Sequence, residues 1–149
     1  MMHFTNLSRF TKAVRPPVQP RSEFFSWHDA LDRQHAIREG FLVDVSSLAV
    51  SFFDVPVALT RNVWDLCVAM DWREQFIQQW RICSIVCQAR VAAQHAAPGS
   101  IEAHFDVRRH TLGSLRPKIR LWLRIEADRG RPVLTIMTDD ERQRFGASS

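Results

Sequence analysis

The stretch "KIRLWLRIE", Lys118 to Glu126, alternates strictly: Ile119, Leu121, Leu123 and Ile125 fall on one set of positions, Lys118, Arg120, Trp122 and Arg124 on the other. Successive side chains of a strand point to opposite faces, so this period of two predicts a strand with one apolar and one outward side. Upstream, "IEAHFDVRRH" repeats the pattern, with Ile101, Ala103, Phe105 and Val107 against Glu102, His104, Asp106, Arg108 and His110. Downstream, "PVLTIMT" supplies another strand after a turn at Arg129-Gly130. The final third therefore reads as a three-stranded antiparallel meander with one face on a core and one in solvent.

Before residue 100 the period changes. A long helix is expected from about Trp72 to His95, stopped by Pro98-Gly99, with two apolar stripes. Phe76, Trp80, Cys83, Cys87 and Val91 form one; Ile82, Ile85, Val86 and Ala89 form the other, which places the helix at the centre of the core. An earlier helix is expected from Ser26, a good cap, to Gly40, a natural left-handed terminator, with Trp27, Ala30, Leu31, Ile37 and Phe41 as its stripe. "FLVDV" reads as a short strand, and Ser46 or Ser47 as the cap of a brief helix, "SLAVSFF". The expected fold is α+β: three to four helices on one face of a small, mainly antiparallel sheet. Residues 1–22 read as a basic, Pro-rich flexible arm, 23–141 as one domain, and 142–149 as a flexible tail.

The segment "DVPVALTRNVWDLCV", Asp54 to Val68, is dense in reactive-looking side chains. Pro56 bars a helix and biases Val55 to extended geometry, so Val57-Ala58-Leu59 reads as an extended connector. Thr60 then caps a helix from Arg61 to about Met70, on which Trp64, Cys67 and Val68 share one buried face. This is a structural motif that resembles an active site only in composition.

At 149 residues, with 46% hydrophobic and 24% charged, the chain has the size and composition of one globular domain. No apolar run approaches the roughly 20 residues of a membrane span, and no secretory signal is evident, although the acid-free N-terminus has some transit-peptide character. Charge is polarised. Arg9, Lys12, Arg15 and Arg21 make residues 1–22 +4; residues 108–131 carry a net +6; subtracting both from the total of +4 leaves −6 on the remainder. Such asymmetry reports on partners rather than on fold. Pro17-x-x-Pro20 also matches a polyproline ligand, with a linker the simpler reading.

Catalytic signatures are absent: there is no glycine-rich phosphate loop, nucleophile elbow or His-Glu-x-x-His, and the chain has only five glycines. His28, Asp32 and His35 lie on one helical face with spacing compatible with a metal, but with Glu39 and Arg33 nearby a solvated polar face is the better reading. The odd set Cys67, Cys83 and Cys87 reads as apolar thiols in a reducing cytoplasm, with a Cys67 or Cys87 pairing to His95 or His104 as the one catalytic alternative. No cofactor or metal is expected. The candidate partner-binding residues are Arg108, His110, Lys118, Arg120, Trp122 and Arg124 on the outward sheet face, together with Arg9, Lys12, Arg15 and Arg21 of the arm. Cations around an outward aromatic suit nucleic acid and protein hot spots alike.

The run "AIREGFLVDVSSLAVSFFDVPVALTRNVWDLCV" resembles a domain-of-unknown-function family of small proteins encoded on bacterial conjugative plasmids and integrative elements. The matching positions are Ala36, Ile37, Gly40, Leu42 to Ser46, Pro56 to Thr60, Val63, Trp64, Cys67 and Val68, with "RPVLTIMTDDE" similar to the family's closing strand. The resemblance spans about residues 30–141 and implies a mobile-element context rather than a chemistry. Three classes follow. The first is a non-enzymatic inhibitor of a bacterial defence system, of anti-CRISPR or anti-restriction type, binding a protein or ribonucleoprotein complex. The second is a DNA-binding accessory of plasmid transfer or maintenance, and the third an enzyme acting through Cys or His.

Overall fold

In a computed structural model of the chain, which describes residues 32–69, 75–108 and 118–146, the α+β architecture takes the form of a five-stranded sheet with helices on both faces. The strands are β1 (Leu42–Asp44), β2 (Val57–Thr60), β3 (Glu102–Arg108), β4 (Lys118–Asp128) and β5 (Arg131–Thr138), in the order β1-β2-β5-β4-β3. The C-terminal strands form the expected meander, with β4 antiparallel to both neighbours. Its β4–β5 hairpin turns on Arg129 and Gly130, at φ of 53° and 78°, so both central residues are left-handed as a type I′ turn requires.

The segment expected as a connector is β2, the second strand of the sheet. It pairs antiparallel with β1 and parallel with β5, and all four residues are buried. An unalternating apolar run marks a strand covered on both faces, which is why "VALT" lacks the period of two seen in β4. Pro56, which has no N–H to give a ladder, contributes its carbonyl, accepting from Leu134 N at 2.9 Å.

Alternation along the strands creates two cores. On one face Val43, Val57, Leu59, Leu121, Leu123, Leu134 and Ile136 pack under α2 (Ser46–Ala49), a π-helical turn (Trp64–Val68) and α4 (Gln75–His95). On the other, Leu42, Ala58 and Met137 join Ala36 and Phe41 beneath α1 (Arg33–Arg38), and Trp122 packs against this smaller cluster. The helices are thus divided between the two faces, not gathered on one. Among the described residues, no helix is long and apolar enough to cross a membrane.

Local chemistry sets the helix ends. The helix expected from Ser26 instead has its N-cap at Asp32, whose backbone is extended (φ −158°) and whose carboxylate accepts from His35 N; Ser26 itself lies outside the described residues. At the other end Gly40, at φ +83°, and Phe41 close a Schellman motif through Gly40 N to Ile37 O and Phe41 N to Ala36 O. Neither Ser46 nor Ser47 is the N-cap of α2, which is Val45. Ser46 instead donates to Asp44 and accepts from Val57 N at 3.0 Å, tying α2 to β2. Thr60 caps α3 (Arg61–Val63), accepting from Val63 N. The helix then widens, Ala69 N bonding to Trp64 O, and buries Trp64, Cys67 and Val68 as their spacing predicts.

Residues 142–146, expected as part of a tail, belong to α5 (Asp139–Gly146). Thr138 and Glu141 form a capping box: Glu141 N donates to Thr138 Oγ1, and Thr138 N donates to Glu141 Oε1 at 3.0 Å. The same Oε1 accepts from Thr60 Oγ1 at 2.6 Å, so one buried carboxylate joins the ends of β2 and β5 and the starts of α3 and α5. Burial pushes the Glu141 carboxyl up, partly offset by the hydrogen bonds from Thr60 and Thr138.

Because Glu141→Ala leaves buried donors unsatisfied, it should lower the unfolding free energy by about 2–3 kcal/mol in urea denaturation. Glu141→Gln should cost less, since its amide oxygen still accepts. Folding raises this carboxyl's pKa, so its contribution is fully present below the unfolded value near 4.5 and declines as pH rises through the folded one. Wild-type stability should therefore fall relative to Glu141→Gln over that interval.

Candidate functional site

The surface chemistry is set by the β3–β4 ladder, whose rungs on the second face are charged. Glu102 stands opposite Arg124, Asp106 opposite Arg120, and Arg108 opposite Lys118. The first rung is tight: Arg124 donates to Glu102 Oε1 through Nε and Nη2 at 3.2 and 3.0 Å, and Arg142 of α5 donates to Oε2 at 3.0 Å. The second is looser, 3.5 Å from Arg120 Nε to Asp106. The last is different in kind. Two cations face each other across the strand pair, a juxtaposition that destabilises a sheet.

Trp122 does not form the outward platform expected of it. Its indole N–H donates to Asp139 Oδ1 at 2.7 Å, the Arg142 guanidinium lies over the ring at 4.2 Å, and His104 tilts against it at 5.0 Å. Its apolar body packs on the smaller core. Arg124 is likewise buried, its guanidinium held by Glu102. Both were expected outward because alternation separates the two faces of a strand, yet α5 and α1 cover part of this one. Arg108, Lys118 and Arg120 are exposed as expected; His110, Arg9, Lys12, Arg15 and Arg21 lie outside the described residues.

Where β3 and β4 end beside α4, a cleft of about 370 Å³ opens. Arg108 and Lys118 line it together with Trp80, Arg81, Ser84 and Gln88 of α4, while buried Cys67, Ile85 and Val107 contribute apolar wall. Asp106 also borders it, its carboxylate facing Arg120. The cleft combines three cations, two neutral polar side chains and an indole that is 60% exposed. Such a set favours an anionic group with a flat or apolar neighbour. Of the α4 residues, Trp80 and Ile85 are expected from the sequence only as core, and Arg81, Ser84 and Gln88 are not singled out. The available signal was two apolar stripes on opposite faces of one helix, of which a domain this small covers only one.

The alternative chemistries find little geometry. Among the described residues, no cluster of three or more His, Cys, Asp or Glu side chains could hold a metal. Asp32 of the suggested metal face caps α1 and binds Arg129 at 2.8 Å. Cys67 lies in the larger core, whereas His104 sits with Trp122 on the other side of the sheet. Cys87 and His95 share α4 eight residues apart, about 12 Å along its axis. Burial pushes the Cys83 thiol up, away from the nucleophilic thiolate.

Comparison of the chain with protein-family models, curated proteins and solved structures finds no match.

Burial pushes the Glu102 carboxyl up, but the hydrogen bond from Arg142 and the charge of Arg124 outweigh it and hold it below the ordinary value of 4.5. Its contribution is present above that value and is lost as pH falls through the lowered one. Glu102→Gln should cost about 1–3 kcal/mol at pH 7, and thermal melts across pH should show the difference vanishing at strongly acid pH.

Proposed function

We propose that this protein is a non-enzymatic binding protein of a mobile genetic element that inhibits a bacterial defence complex, of CRISPR or restriction type, in the bacterial cytoplasm. The observation that carries the binding role is the like-charged rung Arg108–Lys118 at the mouth of the cleft with Arg81 and Trp80. The other two rungs of the ladder are neutralised in place, so the uncompensated positive charge is concentrated at this end. A phosphate backbone or an acidic protein surface complements it, and a ribonucleoprotein offers both. The defence context rests on the resemblance of residues 30–141 to proteins of conjugative elements.

The second reading, a DNA-binding accessory of plasmid transfer or maintenance, draws on the same rung of Arg108 and Lys118 and is separated from the first by salt and by partner. On naked duplex DNA, phosphate contacts by Arg108 and Lys118 give a log–log salt slope of about −2, a loss of about tenfold between about 50 and 200 mM salt. The inhibitor reading predicts instead a complex with the effector and protection of phage or plasmid in a defence-competent host. Arg108→Gln combined with Lys118→Gln should weaken binding more than tenfold while leaving the melting temperature unchanged or higher, because a repulsive rung is removed. Failure to bind any CRISPR effector or restriction enzyme, with no protection in the host, would reject the inhibitor.

A further inference from the structure

The apolar stripe of α4 that begins at Phe76, expected to lie in the core, is largely on the surface, with Cys83 half-buried against the larger core. Phe76 is 81% exposed, Trp80 60% and Val91 50%, and Cys87 is also exposed. The buried residues Ile82, Ile85, Val86 and Ala89 occupy the opposite side of the same helix. At 100° per residue, positions 76, 80, 83, 87 and 91 fall within an arc of about 80°, and at 1.5 Å per residue they extend about 22 Å. A monomer's surface rarely carries so long a continuous apolar band without a partner.

We propose that this stripe is the two-fold seam of a homodimer in which two copies of α4 pack antiparallel, centred between Cys83 and Ser84. Three features of the stripe fit a second copy. Its bulky residues, Phe76 and Trp80, lie in the first half of the helix, and its small ones, Cys87 and Val91, in the second. Antiparallel pairing about that centre sets Phe76 against the second copy's Val91 and Trp80 against its Cys87, large into small at four places, as an isologous interface requires. Next, positions 76, 80, 83, 84, 87 and 91 hold no charged residue, so the pairing brings no like charges together. Finally, the exposed parts of Phe76, Ile77, Trp80, Cys87 and Val91 amount to about 500 Å² per copy. Covering them in both copies removes about 1,000 Å², the lower bound for a specific but weak interface.

A two-fold axis perpendicular to the paired helices keeps both cationic clefts on the same side of the seam. The dimer thereby presents two equivalent anion-binding mouths to one surface, which raises avidity without new contacts.

Sedimentation equilibrium of the full chain under reducing conditions tests this. The expected result is a mass of twice 17.3 kDa that dissociates on dilution through the micromolar range. Phe76→Glu and Val91→Arg should each give a monomer with unchanged far-UV circular dichroism, since both side chains are exposed. Combining the two should restore the dimer, because positions 76 and 91 face each other across the seam. A wild-type monomer at every concentration overturns the proposal and leaves residues 1–31 or a foreign apolar helix to cover the stripe. Single variants that remain dimeric overturn the face, and failure of the double variant to recover overturns the antiparallel alignment.

Discussion

The backbone of Val57–Thr60 is hydrogen-bonded on both edges and its side chains are buried on both faces, so the rest of the chain is arranged around it. A strand in that position forces its neighbours to supply two covers. One is α4 with the π-helical turn; the other is α1, with α5 beyond it. The end of the strand is secured by Thr60, whose hydroxyl accepts from Val63 N and donates to Glu141. Glu141 simultaneously accepts from Thr138. Four elements thus meet at one carboxylate, and that junction fixes α5 over the second face. With α5 in place, Arg142 reaches both Trp122 and Glu102.

That arrangement separates the polar side chains of β3 and β4 into two populations. Those near α5 are consumed by structure: Trp122 by Asp139 and Arg142, Arg124 by Glu102. On the α1 side, Arg33 is similarly engaged, donating to Thr135 Oγ1 and Leu134 O, while burial lowers its pKa. At the far end of the ladder none of the described helices covers this face. Arg108 and Lys118 remain exposed there, next to the uncovered side of α4. Charge and exposed aromatic surface therefore coincide at one end of the sheet, as a consequence of which strands α5 reaches.

The sequence made some of this legible and concealed the rest for identifiable reasons. Alternation in β3, β4 and β5 is a local signal, and so are the Thr60 cap, Gly40 and the Arg129-Gly130 turn. The fold class followed from them. The role of β2 was obscured because a strand buried on both faces has no alternation, and a preceding proline resembles a linker. Asp32 was passed over as a cap in favour of Ser26 because part of what holds its carboxylate is Arg129, 97 residues away. The exposure of Trp122 was misjudged since period alone assigns a side, not what covers it. Here a signal was available: Thr138-Asp139-Asp140-Glu141 has the capping-box pattern and announces a helix that must pack somewhere. The two stripes of α4 were visible, but which of them the sheet covers depends on where the helix lies on β3.

On the proposed reading, binding falls at the β3–β4 end of the sheet, where Arg108 and Lys118 border α4, and not around Trp122 beneath α5. Hydrogen-exchange mapping of the complex recovered on tagged full-length protein from a defence-competent bacterium reads this directly. The account predicts added protection in the cleft-lining turns of α4, residues 81–88, and in the terminal residues 106–108 and 118–120, with α1 and α5 unchanged. Protection confined to α1, α5 and the Trp122 region, or recovery of no partner at all, would contradict it.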